Sequence, residues 1–157
     1  MSKTWRCTTN LLDIAGLMVI AMFFILDRGL KQAALAQGPD QALQLIGSWL
    51  SFKLTFNPYI AFSLPVSGHL LNALISLIVL SLFLRIIYLI INKKKAKTYI
   101  IPLTFLLFGA ISNLLDRYLY DAVVDYLDLR YFTVFNIADI MISGSVIFIL
   151  IKQLRNN

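Results

Sequence analysis

Two aspartates lie beside apolar segments of the chain, Asp125 in a Val-Val-Asp-Tyr stretch and Asp139 in a Phe-Asn-Ile-Ala-Asp stretch. An ionised Asp near the middle of a bilayer costs about 2.5 to 3.5 kcal/mol, so a pair of them indicates a function. Two carboxylates about 3 Å apart cannot both ionise readily, and one then holds a proton while the other accepts one. Such a pair can activate a water molecule and protonate a leaving amine.

The separation of these aspartates, 14 positions, does not place them on one helix face. We expect Asp125 in a loop or half-buried segment and Asp139 in the first turn of the last helix, so that both converge on one point. Spacing alone does not decide between hydrolysis and the transport of protons or ions. Paired acids within a membrane are at least as compatible with transport. One histidine, His69, and one cysteine, Cys7, offer no triad or metal motif, so we predict no metal and no cofactor.

Long apolar runs dominate the chain of 157 residues, which is 59% hydrophobic with a mean hydropathy of +0.79. Four segments reach or approach the length of a membrane span: residues 11–29, 66–92, 99–117 and 136–151. Little sequence is left for a separate soluble domain. We therefore predict a single integral membrane domain over residues 1–157, of the all-α class with four transmembrane helices. The first segment also imitates a cleavable signal peptide, but Asp27, Arg28 and Lys31 interrupt the approach to a cleavage site.

The positive charges predict the orientation of the spans. Basic residues fall at the N-terminus, between the second and third segments and at the C-terminus: Lys3, Arg6, Lys93, Lys94, Lys95, Lys97, Lys152 and Arg155. An even number of spans places these three regions on one side, which the positive-inside rule assigns to the cytoplasm. Both termini are then cytoplasmic and the two aspartates lie toward the outer face. Orientation explains the net charge of +6 more simply than a nucleic-acid partner does.

The longest segment between spans, residues 32–65, contains an alternation of apolar and polar residues from Leu50 to Phe56. Period-two alternation predicts a half-buried strand, and residues Arg130 to Val134 are its expected partner. A small extracytoplasmic sheet with its apolar face on the bilayer surface would suit a platform for a lipid-attached or extended substrate.

Further polar residues share helix faces near these segments. Asp27 and Lys31 are four positions apart and can reduce each other's desolvation cost, although a surface pair at a helix end fits the spacing equally well. Asn113, Asp116 and Arg117 lie on one side of a helical turn, where hydrogen bonds between packed helices are the alternative to a functional role.

The sequence resembles the bacterial lipoprotein signal peptidases (signal peptidase II) over nearly its whole length. The residues that carry the resemblance are Gly109-Ala110 with Asn113, Asp116 and Arg117, the two aspartate stretches, Asp27 with Lys31, and Asn57 with Ala61-Phe62-Ser63. The signature from Gly109 to Asp139 is specific, whereas Asp27 with Lys31 alone would be weak.

The resemblance implies a four-helix inner-membrane aspartyl endopeptidase that cuts prolipoproteins before the diacylglyceryl-modified cysteine. It implies that Asp125 and Asp139 are the catalytic dyad. It further implies a polar shell of Asn57, Asn113, Arg117 and Asn136, and a structural support of Asp27, Lys31 and Asp116. The expected partners are the lipidated prolipoprotein and membrane lipids, and one bundle looks self-sufficient as a monomer.

The sequence departs from the family pattern in two places, at three positions in all. The family usually has Arg-Asn followed two residues later by Gly, whereas here Phe56 precedes Asn57 and Tyr59 replaces the glycine. Arg28 stands where the family commonly has Gln, a change that affects a local contact more than the mechanism. These departures leave a non-enzymatic binder of lipidated peptides as an alternative, beside a small proton or ion relay.

Overall fold

The computed structural model describes residues 11–59, 68–92 and 97–155. The elements along the chain are α1 (Leu11–Gln37), β1 (Ala42–Ile46), β2 (Leu50–Asn57), α2 (His69–Ile91), α3 (Lys97–Tyr120), β3 (Val123–Leu129), β4 (Val134–Phe135) and α4 (Ile137–Leu154). Several residues used in the sequence predictions lie outside the described residues: Lys3, Arg6, Cys7, Ala61-Phe62-Ser63 and Lys93 to Lys95.

Three of the described helices are long and apolar enough to cross a membrane, namely α2, α3 over Thr98–Tyr120, and α4. Large apolar side chains such as Leu77, Ile78 and Phe148 are exposed on them, as expected for lipid-facing surfaces. The chain is therefore a membrane protein. Helix α1 does not meet the same criterion, because each of its 18-residue stretches contains three charged residues. The fourth span thus stays a prediction.

Helix α3 packs against each of the other three helices. Its glycine Gly109 lies against the start of α4, where an added Cβ would be 2.7 Å from the carbonyl oxygen of Ala138. Edge-to-face ring contacts between Phe23 and Phe105 and between Phe24 and Phe108 join α1 to α3. The close approach at Gly109 brings the first turn of α4 beside the second half of α3.

The four strands form one antiparallel sheet in the order β1-β2-β3-β4. The predicted strand at Leu50 to Phe56 is confirmed as β2, but its predicted pairing with Arg130 to Val134 is wrong. Its partners are β1 and β3, because the chain turns at Tyr131, with φ 68°, and returns as the short β4 against the other edge of β3. A register shift in β2 then places Thr55 opposite Asp125.

The sheet packs on the second half of α1. Its buried core consists of Ala34, Phe52, Leu54, Val124 and Tyr126. This packing explains why α1 continues to Gln37, beyond the predicted end at residue 29: the helix serves as a support for the sheet as well as an apolar segment. The other three helices agree with the predicted segments to within three residues at each end.

Candidate active site

The first turn of α4 holds Asp139 through a reciprocal capping arrangement. Asn136 is the N-cap, and its side-chain oxygen accepts a hydrogen bond from the backbone N–H of Asp139 at 2.9 Å. The Oδ2 of Asp139 in turn accepts from the backbone N–H of Asn136 at 3.3 Å. A capping box of this kind satisfies two otherwise unpaired N–H groups and fixes both side chains.

Asp125 lies on β3 and is only 2% exposed. The amide nitrogen of Asn136 donates to its Oδ1 at 2.6 Å, and that of Asn57 donates to its Oδ2 at 3.1 Å. Asn136 therefore contacts both aspartates, one through each end of its side chain. The two aspartates meet at Asn136, and Asp139 lies in the first turn of the last helix as predicted. Asp125, however, lies on a buried part of strand β3, where a loop or half-buried segment was expected.

A third amide, that of Asn113 on α3, completes this polar group. Its nitrogen donates to Oδ1 of Asp139 at 2.7 Å, while its oxygen accepts from Lys31 Nζ at 2.9 Å and from Asn136 Nδ2 at 3.2 Å. An ammonium group can only donate, so Lys31 requires the oxygen of Asn113 to face it. Lys31 thereby turns the Asn113 nitrogen toward Asp139.

The surroundings of Asp125 favour a carboxyl group that exchanges a proton near neutral pH. Burial, and next the charge of Asp139, raise the pKa of Asp125 to about 7, although hydrogen bonds from Asn57 and Asn136 and the charge of Lys31 oppose the shift. A carboxyl group in this range can give or take a proton at the pH of a cell.

Lys31, Asp27 and Asp116 lie behind the amides, and the side chains of all three are fully buried. Lys31 Nζ is 3.0 Å from Asp27 Oδ2 and 2.6 Å from Asp116 Oδ2. The surface pair that the spacing of Asp27 and Lys31 allowed is therefore excluded. A buried cation with two carboxylate partners avoids the penalty of an isolated charge.

Asp27 also caps α4. Its Oδ1 accepts from the backbone N–H of Ala138 at 3.1 Å and from the Tyr126 hydroxyl at 2.9 Å, and its Oδ2 accepts from the Ser112 hydroxyl at 2.6 Å. The Tyr126 hydroxyl accepts from the N–H of Ile137 at 3.1 Å. Burial, with the charge of Asp27, raises the pKa of Tyr126, so its hydroxyl stays protonated and able to donate.

The sequence predictions missed three residues of this site: Ser112, Tyr126 and Arg28. Ser112 is four positions before Asp116, which was a usable signal for one helix face. Tyr126 follows Asp125 directly, and nothing in the sequence showed that its hydroxyl reaches α1 and α4. Arg28 was noted only as a departure, yet its Nη1 donates to Oδ1 of Asp116 at 2.5 Å and to the Ser112 carbonyl at 3.3 Å.

Arg117 donates hydrogen bonds to the backbone of the segment that directly follows β2. Its guanidinium donates to the carbonyl of Pro58 at 3.3 Å and to that of Tyr59 at 2.6 Å. Tyr59 also donates its N–H to the side-chain oxygen of Asn57 at 3.1 Å. The departure at Tyr59 thus contributes backbone groups to this contact, while its side chain is 40% exposed.

Metal ligands are not grouped in the part of the chain that the structure describes: no three His, Cys, Asp or Glu side chains there could hold an ion together. The two carboxyl groups, which hydrogen bonds from three amides hold in place, are of a type suited to proton transfer.

The fold and the site define a membrane protein in which two aspartates meet at one asparagine, with Asp125 buried and Asp139 half-buried. The sequence profile described as signal peptidase (SPase) II matches residues 19–155. The lipoprotein signal peptidase of Clostridium tetani is 34% identical over 149 residues, covering 90% of this chain and 93% of the relative. That of Campylobacter jejuni (serotype O:6) is 34% identical over 137 residues, covering 85% and 83%. The chain belongs to the signal peptidase II family and is accordingly an aspartic-type protease.

The fold is also similar to that of solved structures. A bacterial membrane enzyme determined by the in meso method at 2.3 Å has a TM-score of 0.78 and 24% identity, covering 90% of this chain and 88% of that one. A second, at 1.9 Å, has a TM-score of 0.74, covering 91% and 94%. The arrangement of helices and sheet is thus shared with experimentally determined membrane enzymes.

Proposed function

We propose that this chain removes the signal peptide from prolipoproteins by cutting before the diacylglyceryl-modified cysteine, with Asp125 and Asp139 as the catalytic pair. The observation that carries the proposal is the position of Asn136, whose two ends contact both aspartates. Membership of the signal peptidase II family supplies the substrate class. The relatives from C. tetani and C. jejuni are lipoprotein signal peptidases.

The chemistry is hydrolysis of one peptide bond. The ionised carboxylate of the pair takes a proton from a water molecule as the water oxygen bonds to the scissile carbonyl carbon. The protonated carboxyl group stabilises the developing oxyanion, and a proton then passes to the leaving nitrogen as the C–N bond breaks. The products are a new carboxylate on the signal peptide and a free amine on the lipidated cysteine.

The three asparagines suit this cycle because an amide donates a hydrogen bond without titrating. Asn57 and Asn136 orient the carboxylate of Asp125, and Asn113 orients that of Asp139. A charged donor in their place would stabilise the doubly ionised pair, which has no proton to give. Asp27, Lys31 and Asp116 act as support, and Arg117 holds the backbone that follows Asn57.

The proposed setting is the bacterial inner membrane, with residues 1–157 as a single domain acting as a monomer among lipids. Four spans place both termini in the cytoplasm and the dyad toward the outer face. The support for this orientation is that Asp125 belongs to the sheet, and the sheet lies at the end of α1, α3 and α4 away from the basic residues Lys152 and Arg155.

The decisive experiment measures cleavage of a diacylglyceryl-modified prolipoprotein by purified wild type, Asp125→Asn and Asp139→Asn. Each Asn is nearly isosteric with Asp but cannot exchange the required proton, so we expect rates at least about a thousandfold lower in both variants. Ser81→Ala is the control, because the Ser81 hydroxyl lies on α2 and bonds the backbone carbonyl of Leu77, so its loss removes no contact to Asp125 or Asp139.

Full activity in both aspartate variants would contradict the proposal. Tight binding of the lipidated peptide by wild type without any product would instead identify a non-enzymatic binder. Proton flux into liposomes that Asp139→Asn abolishes, in the absence of peptidase activity, would identify a relay.

A further inference from the structure

A buried group of two carboxylates and two cations lies behind the dyad, and we call Asp27, Asp116, Lys31 and Arg28 together the ion cluster. Lys31 bridges both carboxylates, and Arg28 adds a second cation on the free oxygen of Asp116. The formal charges of the ion cluster therefore cancel only because Arg28 is present. Its side chain is 20% exposed, whereas the other three are fully buried.

The ion cluster contacts the dyad through short neutral links. Lys31 reaches Asp139 through the amide of Asn113, with two hydrogen bonds of 2.9 and 2.7 Å. Asp116 Oδ2 accepts from the backbone N–H of Val124 at 3.2 Å, directly beside Asp125. The charge of Lys31 already acts on Asp125, whose pKa it lowers, and charges in a buried group are screened less than charges in bulk water.

We propose that Arg28 is a positioning residue that sets the pH range of catalysis by supplying the second positive charge of the ion cluster. This inference rests on the proposed function of the dyad and extends it, because it assigns a role to a residue outside the reacting groups. Arg28 acts through Asp116, whose Oδ1 it holds while Lys31 holds Oδ2.

The sign of the effect follows from the charge of the ion cluster. Without Arg28, Asp27 and Asp116 share the one charge of Lys31, and the cluster becomes negative. A negative charge beside the dyad favours its protonated forms, so both limbs of the pH–rate profile move to higher pH. Without the charge of Asp116 the cluster becomes positive, and both limbs move to lower pH.

The other charged or titratable groups near the dyad do not depend on Arg28. Arg117 bonds the carbonyls of Pro58 and Tyr59, and the Tyr126 hydroxyl bonds Asp27. Lys53 of β2 is exposed, and Lys152 lies at the opposite end of α4 from Asp139. Substituting Arg28 or Asp116 therefore changes the charge behind the dyad without removing a direct contact to Asp125 or Asp139.

The test compares pH–rate profiles for cleavage of the lipidated prolipoprotein by wild type, Arg28→Gln, Asp116→Asn and the double variant. We expect the limbs of Arg28→Gln to move up by about 0.5 to 1 pH unit and those of Asp116→Asn to move down by a similar amount. The double variant restores neutrality, so its limbs return to within about 0.2 units of wild type, even if its maximal rate is lower. Damage to packing alone would lower all rates without producing shifts of opposite sign.

Two controls separate the effect of the positive charge from other effects of the substitution. Arg28→Lys keeps the charge and should leave the limbs of the pH–rate profile in place. Arg85→Gln removes the same charge from α2, where Arg85 is exposed and stacks on Tyr88, and should also leave them unchanged. Should Arg28→Gln fail to fold, Asp116→Asn and the double variant still test the predicted direction.

Unshifted limbs in Arg28→Gln and Asp116→Asn, or shifts of the same sign in both, would overturn the role of Arg28 while leaving the peptidase intact. A wild type without cleavage at any pH would instead contradict the proposed function itself.

Discussion

At the scale of single residues, Asn136 decides the geometry of the site. It follows β4 directly and caps α4, and its side chain contacts both aspartates. An amide offers a donor and an acceptor on two separate atoms of one short side chain, without a titratable group. A carboxylate at this position would add a third acid to the pair, and an alanine would remove the helix cap together with the contact to Asp125.

The raised pKa of Asp125 predicts how stability depends on pH. A carboxyl group whose pKa is about 7 when folded, against 3.8 as its usual value, binds its proton more tightly in the folded state. Its contribution to stability is fully present below about pH 4 and is lost as the pH rises through 7. Asp125→Asn lacks this loss, so its stability relative to wild type should increase by about 1 kcal/mol or more between pH 5 and 8.

Thermal unfolding in detergent at pH 5, 6, 7 and 8 measures this difference. Ser48→Ala, in the exposed turn between β1 and β2, replaces a group that does not titrate, and its difference from wild type should stay constant over the same range. A constant difference for Asp125→Asn as well would show that Asp125 titrates alike in the folded and unfolded chains.

At the scale of elements, apolar runs were enough to predict α2, α3 and α4, because a charged residue ends each run: Lys93, Asp116 and Lys152. Strand β3 could not be predicted in the same way. Val123, Val124, Asp125 and Tyr126 are all buried, so this strand shows no period-two alternation. The burial of Lys31 was also undecided, since an i, i+4 pair with Asp27 fits a surface and an interior equally well. Only the packing of α1 against α3 and the sheet distinguishes them.

The contact between α3 and α4 at Gly109 predicts a cost for any side chain there. In Gly109→Ala the new Cβ would lie 2.7 Å from the Ala138 carbonyl oxygen and 3.0 Å from side-chain atoms of Met141 and Ile142. The backbone oxygen cannot move independently of α4, so the helix start that carries Asp139 must shift. We expect cleavage about 10- to 100-fold slower and stability about 1 to 3 kcal/mol lower.

Gly144→Ala is the matched control for this substitution. Gly144 lies in α4 as well, and nothing is within 4 Å of a Cβ added there. Its activity should stay within about twofold of wild type, with unchanged or slightly higher stability, since Ala favours a helix over Gly. Equal losses at Gly109 and Gly144 would show that helix α4 tolerates no substitution of this kind, and that the close approach at Gly109 has no special role.

At the scale of the whole molecule, the ion cluster explains how the charged residues of α1 can pack beside membrane helices. Asp27 and Lys31 bond each other, and Arg28 bonds Asp116 of α3. Paired and buried charges cost far less in a bilayer than the same residues exposed to lipid. A hydropathy criterion that counts these three charges separately excludes α1, whether or not the charges are paired. The fourth span stays a prediction, and the pairing of its charges is compatible with it.

The lone cysteine of the chain tests this arrangement directly. If α1 spans the membrane with the N-terminus in the cytoplasm, a membrane-impermeant maleimide should label Cys7 only after spheroplasts are permeabilised. Ser48→Cys in a Cys7→Ser background places a thiol in the exposed turn between β1 and β2, on the side proposed for the dyad, and should react in intact spheroplasts. Asn92→Cys in the same background, at the exposed end of α2, should behave like Cys7.

Labelling of Cys7 from outside while Asn92→Cys stays protected would mean that α1 does not cross the bilayer. The ion cluster would then lie at the membrane surface, where the cost of its charges, and so the need for Arg28, would be smaller.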